Sequence, residues 1–468
     1  MTITPDICVI GGGSAGLTVA AAAANFGHKV VLVERGAMGG DCLNYGCVPS
    51  KSLIAAARHA AMVRDGARFG VNAEPEIDYG AVHRHIHSVI ASIAPHDSVE
   101  RFEGLGVKVI KAEARFEDGE TVAAGDTQIK ARRFVIATGS RPRMPAIDGL
   151  AAVDPLTNES VFDLTALPES LAIIGGGPIG AELGQAFARL GAKVTVITSG
   201  AFLAKEDPDA AAIVRARMEA EGVGIVDHAA VERVSGDPSA AVLHLPGGRT
   251  VAAARVLVAT GRLPNIESLG LQAAGVATHP GGIVVNKGMR TDNRRIYAIG
   301  DVTGGPQFTH VAGHQGSLAV RSIVFRLPVS FDADAMPRCT FTAPELAQVG
   351  LCEAEARERW ADASAYTAPL GGNDRARADG ETEGFVKLVL NGKGKLVGAT
   401  IVAPHAGEMI ATYTLALAGK VSLQTVAGLV LPYPTLSEAG KRAAVNHFGE
   451  RLDKPWLKRA LSILKRIP

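Results

Sequence analysis

Hydrophobic positions along the chain fall in short runs, and glycine breaks each run. Ile7 to Ile10 reads as a buried strand entering Gly11-Gly12-Gly13-Ser14-Ala15-Gly16, followed by an alanine-rich helix to about Phe26 and a second strand over residues 30–33. Strand, glycine turn, helix and strand in that order predict a βαβ unit. The pattern returns at an offset of 164 residues, from Gly11 to Gly175, and Gly177 and Gly180 complete the set. Gly27 and Lys29 recur as Gly191 and Lys193, so the register persists into the second strand. A further echo joins residues 135–140 (VIATGS) to residues 257–262 (LVATGR), each an apolar run ending in a Thr-Gly turn. These could simply end core strands. The layout predicts an α/β chain with two Rossmann-like units.

Gly11, Gly13 and Gly16 fit the dinucleotide fingerprint: one for the tight turn, one for close approach to a pyrophosphate, one for packing of helix on strand. The helix N-terminus offers unpaired N–H groups to phosphate. Glu34 closes the second strand, where it is placed to accept from ribose hydroxyls. The 164-residue register puts Thr198 where the first copy has Glu34. The second site thus lacks the carboxylate that would repel a 2′-phosphate, while Ser199 and Lys205 come after it with a hydroxyl and a cation but no Arg fork. NADPH is favoured over NADH on this ground.

Composition narrows the picture. The 468 residues carry 48 Lys+Arg against 47 Asp+Glu, a net charge of +1, which excludes a general nucleic-acid binder. A hydrophobic share of 47% with 20% charged residues is globular, and the length suits several domains. The longest apolar stretch near the second glycine turn, residues 171–181, stops at Glu182 and is too short to span a bilayer. No basic region precedes the first apolar run, so a cytoplasmic location is expected. Five cysteines are not a secreted disulfide framework, and Cys8, Cys339 and Cys352 stand isolated as expected buried small hydrophobes.

Cys42 and Cys47 differ. They lie five apart in Gly39-Gly40-Asp41-Cys42-Leu43-Asn44-Tyr45-Gly46-Cys47-Val48-Pro49-Ser50-Lys51. A disulfide closing so short a loop removes little chain entropy, so a working redox couple suits the pair better than a structural staple. No nearby Cys or His completes a tetrahedral metal set, and no metal site is expected. A helix N-terminus and Lys51 close by predict a lowered thiol pKa.

These motifs together, GGGSAG, GGDCLNYGCVPSK, GGGPIG and YAIGD, resemble those of the FAD-dependent pyridine nucleotide-disulfide oxidoreductases, the group of glutathione reductase, dihydrolipoamide dehydrogenase and mercuric reductase. The resemblance runs from Asp6 to about Phe448. It implies an FAD-binding domain over 1–149 with the redox disulfide, an NAD(P)-binding domain over 150–266, a return to the flavin side over 267–336, and a dimerisation domain over 337–450. Gly11, Gly13, Ser14, Ala15, Gly16, Glu34 and Arg35 would hold the ADP half of FAD, with Gly40, Asp41, Ala137, Thr138 and Gly139 beside the cofactor. Gly300 and Asp301 would meet the ribityl chain. Gly175, Gly177, Pro178, Ile179, Gly180, Thr198, Ser199, Lys205 and Gly261 would serve NADPH or NADH. Cys47 would face the flavin, Cys42 would exchange with substrate, and Lys51 near the flavin would pair with Glu182, although a Glu on an apolar helix face also serves as a helix-dipole partner. Electrons would pass from NAD(P)H through FAD to the Cys42–Cys47 disulfide and then to a thiol or disulfide substrate.

One segment departs from the family pattern. Where glutathione reductase and dihydrolipoamide dehydrogenase carry a His-Pro-Thr acid/base supplied by the partner subunit, this chain has Tyr433-Pro434-Thr435, with Glu438 three residues later. A phenol's ordinary pKa lies about 3.5 units above that of imidazole, roughly 4.8 kcal/mol against service as a base near neutrality. His310 and His314 are the nearest substitutes by motif. Tyr433 resembles the mercuric reductases, but no cysteine comes after Cys352 to match their paired-cysteine tail. A disulfide-type substrate is therefore expected, with a metal reductase, a dihydrolipoamide dehydrogenase and a slow-turnover flavin redox sensor as alternatives. A homodimer is expected, and a monomer should be inactive if Tyr433 or Glu438 crosses over. The tail, residues 451–468, sets apolar residues at helical spacing opposite Lys454, Lys458, Arg459, Lys465 and Arg466, which suits either a helix packed on the dimer or a peripheral membrane contact, as in a membrane-associated quinone or metal reductase.

Overall fold

The computed structural model describes residues 1–452 and 455–465. Two compact units carry the chain, one of residues 1–176, 183–199 and 226–333, the other of residues 177–182, 200–225 and 334 onward.

In the first unit a five-stranded parallel sheet has the order Ile296–Ala298, Arg133–Ile136, Ile7–Ile10, Val30–Glu34, Lys108–Lys111. Ile7–Ile10 lies at its centre and all four residues are buried, as a parallel strand covered on both faces requires. The helices Ser14–Asn25 and Thr309–Ile323 cover one face through Leu17, Ala20, Ala319 and Val320. Gly316 of the second helix allows the two to approach closely: a Cβ there would stand 3.0 Å from the Ala15 carbonyl oxygen. An antiparallel set, Ala114–Phe116, Val122–Ala124 and Thr127–Ile129, seals the other face with Phe116 and Ile129 against Cys8, Ile10 and Phe134.

The second copy repeats this plan. Lys193–Ile197, Ser170–Ile174 and Arg255–Val258 run parallel, and the antiparallel strands Arg233–Asp237, Ala240–His244 and Thr250–Ala253 cover one side through Val234, Leu243 and Ala253. Both Thr-Gly echoes lead into one antiparallel ribbon, Ser140–Pro142 paired with Arg262–Pro264. They are more than strand ends: they bring the two copies together.

The second unit is built on an antiparallel sheet of order Arg338–Thr340, Glu345–Gly350, Leu396–Ala403, Phe385–Leu390, Ser364–Pro369. Ile410, Tyr413, Ala439 and Ala443 of the helices Ala406–Ala418 and Glu438–Leu452 pack on its core. The fold is thus α/β, with two Rossmann-like domains and a C-terminal α+β domain. Cys8 is buried as expected, whereas Cys339 and Cys352 are half-buried, Cys352 as the N-cap of the helix Glu353–Arg359, where its amide donates to Glu355 Oε2 at 2.8 Å. Among the described residues no helix is long and apolar enough to cross a membrane. In the tail the helix Pro455–Leu464 leaves Leu461, Ile463 and Leu464 exposed; Lys454 and Arg466 lie outside the described residues.

One charged cluster is buried in this unit. Lys387 Nζ donates to Asp207 Oδ2 at 2.9 Å and Asp209 Oδ2 at 2.7 Å, with the Asp207 side chain 1% exposed. Asp207 also caps the helix Pro208–Ala220 by accepting from the amides of Asp209 and Ala210. Removing the cation strands a buried carboxylate, so Lys387→Met should cost about 3–5 kcal/mol in urea unfolding.

Candidate active site

The first glycine turn is shaped by backbone proximity. Gly11 has φ +109, and a Cβ there would lie 2.3 Å from the Ala137 carbonyl oxygen; a Cβ on Gly16 would lie 1.9 Å from the Gly11 oxygen. Only glycine fits either place. The helix begins at Ser14 with Gly13 as its N-cap and no side chain capping it. Ala15 is buried. Glu34 accepts from the Gly12 and Gly36 amides, both at 2.5 Å. Arg35 is exposed and pairs with Glu113 at 3.5 Å.

Gly39 and Gly40 rest directly on this turn. The Gly39 amide donates to the Gly12 oxygen at 2.9 Å, and a Cβ on Gly40 would meet the Gly13 Cα at 2.7 Å. The short helix Gly40–Asn44 carries Cys42, and Cys47 opens the helix Cys47–Asp65, which carries Lys51 one turn on. The Cys42 and Cys47 thiols share a hydrogen bond, and Cys47 Sγ lies 3.4 Å from Thr309 Oγ1 at the start of the helix Thr309–Ile323. The Cys42 thiol is pushed up, first by its hydrogen bond to Cys47, then by burial and the Cys47 charge, with Thr309 opposing. For Cys42 this reverses the lowered pKa expected from Lys51 and the helix N-terminus: the neighbouring sulfur and burial outweigh them.

Behind Cys42 lies a network that sequence reasoning missed. Arg262 Nη2 donates to Asp41 Oδ1 at 3.0 Å, and its Nε donates to Ser140 Oγ at 2.7 Å. Ser140 Oγ donates in turn to Asp301 Oδ2 at 2.6 Å. Asn158 Nδ2 donates to Asp41 Oδ1 at 3.0 Å. Burial raises the Asp301 pKa, while Ser140 and Arg262 pull it down. Gly300, at φ +75, lies against the Ala15 and Ala312 methyls, and its amide donates to Gln315. Thr138 Oγ1 donates to the Asn265 oxygen at 2.8 Å, and Asn265 Nδ2 returns a bond to the Thr138 carbonyl at 3.0 Å, while Gly139 and Gly261 take positive φ in the two turns.

The second turn repeats the first in space. Gly175 has φ +126 with its Cβ position 2.3 Å from the Ala259 oxygen. Gly12 faces Glu34 and Gly176 faces Thr198, so the 164-residue correspondence of Glu34 and Thr198 is a spatial one. Pro178 opens the helix Pro178–Leu190; Gly177 is open around its Cβ position, Ile179 is exposed and Gly180 is buried. Ser199 is exposed, as is Lys205 in the second unit.

Glu182 belongs to the second unit, where its buried carboxylate accepts from the Phe341 amide at 2.9 Å; Lys51 belongs to the first. Tyr433 is exposed and donates to Asp374 Oδ2 at 3.1 Å, while Glu438 accepts from the Thr435 amide at 3.4 Å. The bond to Asp374 is the main cause that holds the Tyr433 phenol above its ordinary range. His310 is next to Thr309 and stacks on Phe308; His314 lies against Phe331.

Residues 5–316 match the family model "Pyridine nucleotide-disulphide oxidoreductase", and residues 336–444 match the family's dimerisation domain. The chain is 36% identical to the mercuric reductase of Lysinibacillus sphaericus over 94% of its own length and 82% of the relative's. It is likewise 36% identical to the dihydrolipoyl dehydrogenase of Geobacillus stearothermophilus, over 94% and 96%. Among solved structures it resembles the HOCl-induced flavoprotein disulfide reductase RclA from Escherichia coli, with a TM-score of 0.84 at 28% identity over 94% of this chain and 99% of that one. LpdA from Mycobacterium tuberculosis gives a TM-score of 0.85 at the same identity and coverage. The chain belongs to the pyridine nucleotide-disulfide oxidoreductases, and is an FAD-dependent NAD(P)H oxidoreductase acting on a sulfur group.

Proposed function

We propose that the chain draws electrons from NADPH, in preference to NADH, and delivers them through the Cys42–Cys47 pair to a disulfide or related thiol-linked substrate. The observation that supports this most is the seat of Gly39-Gly40 on Gly12-Gly13, which couples the cysteine segment to the first nucleotide turn. The residues present suit FAD: the turn carries no side chains and the helix behind it has an uncapped N-terminus. Gly11, Gly13 and Gly16 would hold the pyrophosphate, Glu34 the ADP ribose, Thr138 and Gly139 the neighbouring face, and Gly300 with Asp301 the ribityl chain. When bound, FAD supplies the two-electron step between the nicotinamide and the disulfide. In the homodimer that the dimerisation domain supports, Tyr433 and Glu438 are proposed to reach the site from the second subunit.

In the reduced pair, Cys42 S–H directed at Cys47 leaves the negative charge on Cys47. Cys42 passes its proton along the hydrogen bond to Cys47 and attacks a substrate sulfur; the substrate S–S bond breaks, a Cys42–S bond forms, and the first thiol departs with a proton from Tyr433. Cys47 then attacks the Cys42 sulfur, restoring the disulfide and releasing the second thiol. Tyr433, kept protonated by Asp374, suits a donor to the leaving sulfur rather than a base. The same phenol favours a second reading, reduction of a metal thiolate, in keeping with the mercuric reductases among the relatives.

Anaerobic NADPH should give the yellow protein a broad long-wavelength band from a sulfur anion beside the flavin, absent in Cys47→Ser. Reoxidation by glutathione disulfide, lipoamide or mercuric thiolate identifies the acceptor, and Cys42→Ser should lower kcat on it about a thousandfold or more. A protein reduced once that none of these reoxidises would be a sensor. Tyr433 should ionise above the ordinary phenol range of about 10, because a nearby carboxylate disfavours phenolate, and Asp374→Asn should bring it down. Ultraviolet difference spectra of wild type and variant against Tyr433→Phe check both statements.

A further inference from the structure

Arg262 ends the second apolar echo, and only 10% of its side chain is exposed. Its fork reaches four groups: Asp41 Oδ1 at 3.0 Å and the Ser140 carbonyl at 2.9 Å from Nη2, Ser140 Oγ at 2.7 Å from Nε, and Asn158 Oδ1 at 3.5 Å from Nη1. Asp301 Oδ2, which accepts from the Ser140 hydroxyl at 2.6 Å, lies 3.8 Å from Nε. One cation therefore serves two carboxylates, Asp41 and Asp301, that would otherwise repel each other. Asn158 fixes the other side of Asp41 and also donates to the Tyr45 carbonyl at 3.2 Å, so both ends of the segment around Cys42 are tied down. Asp41 precedes Cys42 in the chain, and its charge disfavours the Cys42 thiolate.

We infer that Arg262 is a positioning residue for the redox pair, locking the helix Gly40–Asn44 against Ser140 and Asp301 and offsetting the Asp41 charge beside Cys42. The inference rests on the reading of Cys42 as the thiol that meets substrate. The groups that act on that thiol are Cys47, Thr309 and Asp41; Lys51 follows Cys47 on the helix Cys47–Asp65, His310 adjoins Thr309 on the helix Thr309–Ile323, and Arg262 and Asp301 lie beyond Asp41. Lysine would not replace Arg262, since a single ammonium cannot present a planar fork to Asp41 and Ser140 together.

The test uses the full-length holoenzyme in a Cys47→Ser background, so that Cys42 reports alone. Iodoacetamide labelling of the Cys42 peptide is read by mass spectrometry across pH, with flavin absorbance recording FAD retention. Arg262→Gln should shift the labelling profile to higher pH and slow labelling near neutrality roughly threefold to tenfold. Asp41→Asn should shift it the other way, and the double variant should return close to the background profile. An unmoved profile in Arg262→Gln, or a double variant as slow as Arg262→Gln, would overturn the inference, because loss of packing alone is not relieved by neutralising Asp41. Where Arg262→Gln loses FAD or fails to fold, Arg262→Lys decides: a profile moved to higher pH supports the role, because the fork to Asp41 and Ser140 is lost, and an unmoved profile refutes it. Labelling needs neither NADPH nor turnover, so its outcome is separate from that of the anaerobic reduction.

Discussion

The rest of the site depends on a contact between two pieces of bare backbone. Gly12-Gly13 and Gly39-Gly40 meet with no side chain between them, joined by the Gly39 amide on the Gly12 oxygen. Gly39 and Gly40 take φ of 86 and 60, a region that costs a residue with a Cβ and costs glycine little. The helix that carries Cys42 starts at Gly40, so the sulfur inherits its place from the nucleotide turn rather than from packing of its own. Five residues of helix bury too little surface to fix themselves, and only Leu43 of that segment is buried. The hydrogen bonds from Arg262 and Asn158 to Asp41 complete what the glycines begin.

Duplication of the backbone plan gives the two copies different chemistry. Gly11 and Gly175 adopt the same strained turn against Ala137 and Ala259, so the peptide framework is common to both. The copies diverge beyond that turn: a carboxylate at Glu34 against a hydroxyl at Thr198, and a cysteine segment after the first copy alone. The ribbon of Ser140–Pro142 and Arg262–Pro264 lets the copies cooperate. Through it a residue at the end of the second copy reaches Asp41 beside the cysteines and Ser140 beside Asp301. A duplicated fold has thereby acquired a contact that neither copy would hold alone.

What is legible in the sequence is what chain-local physics decides. Glycines at fixed spacing, buried strand runs and the cysteine segment obey turn sterics and periodicity over a few residues, and the fold and family can be read from them. Contacts made over long sequence separations are hidden. Arg262 is 122 residues from Ser140, and Cys47 is 262 residues from Thr309. The repeat of Thr-Gly before Ser140 and Arg262 is the available signal, since paired echoes in a duplicated chain invite a shared location. Tyr433 stands out by its type, but its acidic partner is Asp374, 59 residues away, whereas Glu438 turns back to the Thr435 amide. The pKa direction at Cys42 is opposite to the one its neighbours in sequence suggest, because burial and a second sulfur are properties of the folded pair.

Proton placement narrows the chemistry further. A Cys42 thiol that gives its hydrogen bond to Cys47 holds its proton more tightly than a solvated thiol, and a Tyr433 phenol bound to Asp374 does not remove it near neutrality. With an imidazole in the place of Tyr433, one group would deprotonate the attacking thiol and protonate the leaving one. On the proposed reading, in which Tyr433 reaches the site from the second subunit, the phenol suits the second task alone. A leaving sulfur of low pKa lessens the need for a proton donor but not for a base, so on the proposed reading the Cys42 proton passes to Cys47 or is displaced by the electrophile itself. On the same reading the Asp41 charge, which disfavours the Cys42 thiolate, has to be offset for either kind of acceptor, and the Arg262 fork is the group that meets Asp41.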